Sequence, residues 1–88
     1  VEATRSLSPR QREVLVLYAR GYRRGGVAKK LGISPKTVIN HLTDIREALG
    51  VHTTPRAIVV ALARGEIFAD GEDVVAVRPL AMDLELVA

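Results

Sequence analysis

The sequence predicts an all-α fold, a four-helix bundle whose second and third helices meet at a tight corner, followed by a short C-terminal extension of β or helical patterning. Three observations carry this. Ser34 and Pro35 open a helix and Gly50 closes it, with Val38, Leu42, Ile45 and Leu49 spaced as one apolar stripe between them. Leu7, Ser8, Pro9 and Gln11 form the start signal of an earlier helix, and Gly21 supplies its stop. Thr53 or Thr54, with Pro55 in the first turn, opens a last helix that ends near Gly65. Eighty-eight residues suffice for one small domain with a modest core.

In the first helix Leu7 is the staple residue, Ser8 the N-cap, Pro9 the first helical position and Gln11 the partner in a capping box. Val14, Leu15, Leu17 and Tyr18 supply its buried face. The second helix has weaker signals. Arg23, Arg24, Gly25 and Gly26 make a poor start, and only Val27, Ala28 and Leu31 face a core before Gly32. Two helical glycines would cost roughly 1 kcal/mol each, so this helix is expected to start late or shift. Leu31, Gly32, Ile33 and Ser34 form the corner, and Ile33 is the apolar residue that pins it.

At about 100° per residue, the positions of the third helix that point away from its stripe are Lys36, Asn40, Thr43 and Glu47, with Thr37, Ile39 and Arg46 on the flanks. A helix held by one edge, presenting short hydrogen-bonding groups and a cation on the other, suits the DNA major groove. The fourth helix is apolar all round from Ala57 to Ala63. Ile58, Ala61 and Leu62 can serve the core, which leaves Val59, Val60 and Ala63 for a dimer contact or another domain. From Asp70 a turn leads to β-prone Val74–Val77. Leu80, Met82, Leu84 and Leu86 then alternate with acids as in a strand, although Leu80, Leu84 and Val87 also share one helical side. This tail is too apolar for a solvated linker and too short to fold alone, so it should pack on the domain, a second chain or further sequence.

Charge divides the chain. Residues 1–65 hold 12 Lys and Arg against 4 Asp and Glu, a balance of +8, whereas residues 66–88 hold 1 against 6, a balance of −5. A domain so basic attracts polyanions, because each neutralised phosphate releases counterions. The chain has no cysteine, hence no disulfide and no thiolate metal site. No apolar run is long enough to span a bilayer and no secretion signal opens the chain, so a membrane partner is not expected and the cytoplasm is the default. Val1 is not an initiator Met, so the chain reads as part of something larger. His41 and His52 have no ligand cluster beside them, and neither metal nor cofactor is expected. Ser34, Thr37 and His41 resemble a nucleophile and base only superficially, since Ser34 is needed as a cap. With no carboxylate pair in an apolar cleft and no Gly-rich phosphate loop, catalysis is not expected.

The segments LSPRQREVLVLYARGY, VAKKLGISPKTVINHLTDIREALGV and AIVVALARGEI, in this order and spacing, resemble the LuxR/NarL-type (GerE) helix-turn-helix domain of bacterial transcriptional regulators. The resemblance covers residues 7–67. It implies a four-helix helix-turn-helix bundle whose third helix enters the major groove and whose fourth often makes a dimer. On this basis residues 1–6 are a linker, 7–68 the DNA-binding domain, and 69–88 an acidic and apolar extension. Position by position, the resemblance puts Ile39, Asn40 and Thr43 at base edges and Lys36, Thr37 and His41 near phosphates. Arg23, Arg24, Lys29, Lys30 and Arg46 would hold the DNA backbone. Asn40 is the strongest candidate reader, since its amide can pair with adenine. The sequence departs from the family where Ile39 and Ala48 stand for lysines and Asp44 for an asparagine.

The implied function is sequence-specific transcriptional regulation in the bacterial cytoplasm, on the nucleoid. A homodimer joined through helix four, to which the tail could add, would bind an inverted-repeat operator in double-stranded DNA, recruiting or blocking RNA polymerase. Two other readings stand beside it: a protein-interaction module with weakened DNA reading, and a sigma-factor-like domain acting within polymerase. The acidic tail could fold over the basic surface or fasten a second subunit.

Overall fold

The computed structural model describes residues 6–79. Four helices, α1 (Pro9–Ala19), α2 (Arg24–Leu31), α3 (Pro35–Leu49) and α4 (Thr54–Ala63), precede two short strands, β1 (Phe68–Asp70) and β2 (Asp73–Val75). The strands form an antiparallel hairpin that pairs Phe68 with Val75 and Asp70 with Asp73. The mainly helical bundle agrees with the sequence-based expectation.

α1 is the hub. Its capping box forms as predicted: Gln11 N–H donates to Ser8 Oγ at 3.1 Å and Ser8 N–H donates to Gln11 Oε1 at 2.9 Å. Its far end closes on Gly21, whose φ of 102° is open to glycine at little steric cost. Tyr22 N–H then reaches Leu17 O at 3.0 Å, satisfying a carbonyl the helix leaves free. Between these ends Val14, Leu15, Val16 and Leu17 are all buried, and α2, α3, α4 and β2 all touch α1. Val16 was not on the predicted face. It lines a cleft together with Ala76, just beyond β2.

α2 starts at Arg24 and includes both glycines, correcting the expectation of a late start. Arg23 is its N-cap, with no side-chain hydrogen bond. Contact with the bundle through buried Val27 and Ala28 outweighs the weak local signals. Gly26 has a packing reason: a Cβ there would lie 3.3 Å from Tyr22 Cδ2. The corner turns at Gly32, with φ 68°, and Ile33 N–H donates to Ala28 O at 3.0 Å.

Thr53, rather than Thr54, caps α4 by accepting Arg56 N–H at 3.2 Å. Its core face is centred on Ala57 and Ala61, one turn apart and fully buried. Ile58, Val60 and Leu62 are half-buried around them. The sequence reading put Ile58 and Leu62 in the core and overlooked Ala57; small residues on the contact line let the helices approach closely and leave the larger ones at its margins.

Beyond α4, Glu66 is only 6% exposed although charged. Its Oε1 accepts Leu7 N–H at 3.2 Å and lies 3.1 Å from Arg12 Nη2, joining the entry of α1 to the exit of α4. The hairpin is tied to α1 through Arg20, whose Nε donates to Val74 O at 2.9 Å and lies 3.1 Å from Asp73 Oδ1. Strand structure ends at Val75, so the predicted β run Val74–Val77 is correct only in its first half. The alternating residues from Leu80 to Val87 lie outside the described residues. No helix among the described residues is long and apolar enough to cross a membrane.

Candidate nucleic-acid interface

The candidate site is the outer face of α3, and its shape follows from how the helix is held. Ser34 Oγ accepts Thr37 N–H at 3.1 Å and lies 2.9 Å from Thr37 Oγ1, fixing the first turn. Gly50, with φ 71°, releases the chain so that Val51 N–H reaches Arg46 O at 3.0 Å. The predicted stripe of Val38, Leu42, Ile45 and Leu49 is buried, and Ala48 widens it on one side. Lys36, Asn40, Thr43, Asp44 and Glu47 are exposed, Ile39 is 41% exposed, and Thr37, His41 and Arg46 are half-buried on the flanks. Three of the four positions predicted to point outward therefore combine with Ile39 into one surface along the first half of the helix.

The outer side of α3 is divided by charge. The first half of the helix carries Lys36, the Asn40 amide and the Thr43 hydroxyl on that surface, and the second half carries Asp44 and Glu47 beyond it. The two carboxylates line a polar hollow with Ser6, Gln11 and Ala48. A polyanion is favoured at the first half and repelled from the second. Arg46 stands between them, its Nη2 donating to Thr43 Oγ1 at 3.5 Å and its Nη1 to Thr54 Oγ1 at 3.4 Å. These are long, weak bonds, but they bias the guanidinium toward the junction of α3 and α4.

On α2 and its approach, Arg23, Arg24, Lys29 and Lys30 are exposed. No side chain caps the N-terminus of α2, where Arg23 and Arg24 stand, and a helix N-terminus is an environment favourable to anions. The structure separates the two lysines. Lys30 Nζ sits 5.5 Å from the centre of the Tyr22 ring and borders a cleft lined by Val16, Leu17, Leu31 and Ala76. Lys29, one residue earlier, projects about 100° away around the helix. Tyr22 was not singled out in the sequence, although an aromatic next to two arginines is a signal of its own. On α4, Val59 is 52% exposed and Ala63 is exposed, whereas Val60 is half-buried against the core.

Among the described residues no three His, Asp or Glu side chains gather as a metal site. What the α3 surface offers is recognition: an amide that donates and accepts together, a hydroxyl, a cation and an apolar branch on one rigid element.

Residues 5–61 match the family model of bacterial regulatory proteins, luxR family (GerE). Oxygen regulatory protein NreC of Staphylococcus aureus (strain JH9) is 41% identical over 58 residues, which is 66% of this chain and 27% of that protein. The chain thus spans about a quarter of the length of the curated relatives it matches. A solved structure of the transcription factor GerE superposes with a TM-score of 0.67 at 40% identity, covering 70% of this chain and 94% of that one. The Vibrio cholera VqmA–ligand–DNA complex superposes with a TM-score of 0.64 at 35% identity, covering 70% of this chain and 27% of that one.

Proposed function

The chain belongs to the luxR family of bacterial regulatory proteins, a family of DNA-binding transcription regulators, and from that premise we propose that it reads an inverted-repeat operator as a homodimer by laying α3 in the major groove. The observation that carries this reading is the outer face of α3, where Asn40, Thr43 and Lys36 stand exposed on a helix capped at one end and seamed to the core along one side. Ile39, Asn40 and Thr43 meet base edges. Lys36, Thr37, His41 and Arg46 meet phosphates from α3, while Arg23, Arg24, Lys29 and Lys30 do so from α2. These cations supply affinity without sequence information, and the three base readers supply the selection. Val59, Val60 and Ala63 of α4 form the contact between protomers, and the bound dimer acts by recruiting or blocking RNA polymerase. The DNA in the VqmA complex supports binding to DNA by likeness.

A selection from a random duplex pool at near-physiological salt tests this. Enrichment of an inverted repeat, with affinity falling steeply as salt rises, is the expected outcome. Binding without enrichment would overturn sequence-specific reading. One observation favours a second reading, a protein-interaction module: Asp44 and Glu47 put two anions on the same helix. That reading expects function to survive both raised salt and Asn40→Ala.

A further inference from the structure

Resting on the DNA-binding reading above, we propose that Ile39 is a specificity-determining residue that reads the C5-methyl group of a thymine in each half-site. Four large apolar side chains are exposed among the described residues, and Ile39 is the one on α3. It lies on the surface that also carries Lys36, three residues before it, and Thr43, four residues after it, so the three side chains are neighbours.

The chemistry of the groove decides what such a group can recognise. Of the features that base pairs expose there, the thymine methyl is the apolar one; the others are donors and acceptors that an alkyl branch cannot satisfy. An isoleucine pressed on a guanine or cytosine edge would strip water from polar atoms and return no hydrogen bond. On a thymine it buries methyl against methyl. Ile39 is also suited by stiffness, because a β-branched side chain on a helix holds one dominant rotamer and loses little freedom on docking. Asn40, next in the chain, pairs best with adenine, so both residues select A·T pairs and the half-site is expected to contain adjacent A·T or T·A steps.

Deoxyuridine lacks only the methyl group, so it isolates this contact. With the full chain and the duplex recovered from the pool, each thymine is replaced in turn by deoxyuridine. Binding is expected to weaken about fourfold at one position per half-site, the worth of one buried methyl. Ile39→Ala is expected to melt at the same temperature as the parent and to bind the thymine and deoxyuridine duplexes alike. Equal binding of every deoxyuridine duplex by the parent chain would overturn the proposal. So would an Ile39→Ala variant that still prefers thymine, or one that binds no duplex at all, since the contact is assigned about a fourfold effect in each half-site, or about sixteenfold across the dimer. Failure of the parent chain to bind any duplex would remove the DNA-binding reading and this inference together, whereas binding that ignores the methyl would remove the inference alone.

Discussion

α1 buries Val14, Leu15, Val16 and Leu17 in succession, whereas α3, the longer helix, buries one side and leaves Lys36, Ile39, Asn40 and Thr43 in solvent. Both helices begin with Ser and Pro and end at a glycine with positive φ, so their local chemistry is nearly the same. They differ in how their neighbours are placed. α1 is met by α2, α3, α4 and β2, whereas α3, which also meets the other three helices, buries only the stripe from Val38 to Leu49 against them. Under the proposed docking, stability rests on α1 and the inner side of α3, and recognition on the outer side of α3. A substitution on the inner helix should change how much protein is folded, and one on the outer face of α3 should change what the folded protein binds.

The sharpest way to break this comparison is Leu15→Ala. Leu15 is fully buried at the centre of α1, and a truncated leucine in a core costs about 2–5 kcal/mol through lost burial and the cavity left behind. Chemical denaturation should show this loss, while the fraction that remains folded keeps the parent's operator preference. An altered preference would mean that α1 reaches the site. The counterpart is Asn40→Ala on the exposed face. It should leave the denaturation midpoint within roughly 0.5 kcal/mol of the parent, as surface changes do. Competition between operator and mutated duplexes should meanwhile lose about 1–3 kcal/mol of discrimination at one base pair.

Ser34→Ala sits between these extremes, because Ser34 belongs to the site's scaffold and touches no base edge in the proposed docking. It removes the acceptor for Thr37 N–H and the partner of Thr37 Oγ1. A lost N-cap costs about 1 kcal/mol. Denaturation should report that loss, and DNA affinity should fall for operator and random duplex alike, since a frayed first turn displaces Lys36 and Thr37 rather than Asn40.

The same contrast explains what was legible beforehand. End signals are local, so the caps of α1, α3 and α4 and the stops at Gly21, Gly32 and Gly50 follow from the residue types alone. The α3 stripe is also legible, because a helix buried on one side writes its burial as a period. Burial imposed by distant sequence is not written that way. Val16 is buried and shares a cleft with Ala76, sixty residues on, and Ala48 is buried beside a hollow that Ser6 and Gln11 also line. Glu66 reads as a solvated charge after a helix stop, yet it is buried because Leu7 N–H and Arg12 meet it from 59 and 54 positions away. At the candidate site, the outward positions of α3 were legible from the period, whereas the contact of Lys30 with the Tyr22 ring was not, because Tyr22 lies outside α2.

The smallest effect is expected where the extension meets the helical bundle. Arg20 is the polar tie between α1 and β2, through Val74 O and Asp73 Oδ1, and both side chains of the ion pair are substantially exposed. Solvent screens such a pair, so Arg20→Ala should lower global stability by less than about 1 kcal/mol. The local consequence should be clearer than the global one. A two-stranded hairpin is marginal by itself, so with its tie removed the amides of residues 73–75 should exchange hydrogen faster, while those of α3 keep their protection. Unchanged exchange at β2 would mean that apolar contact between the hairpin and α1 suffices, and that Arg20 contributes little to holding the extension on the bundle.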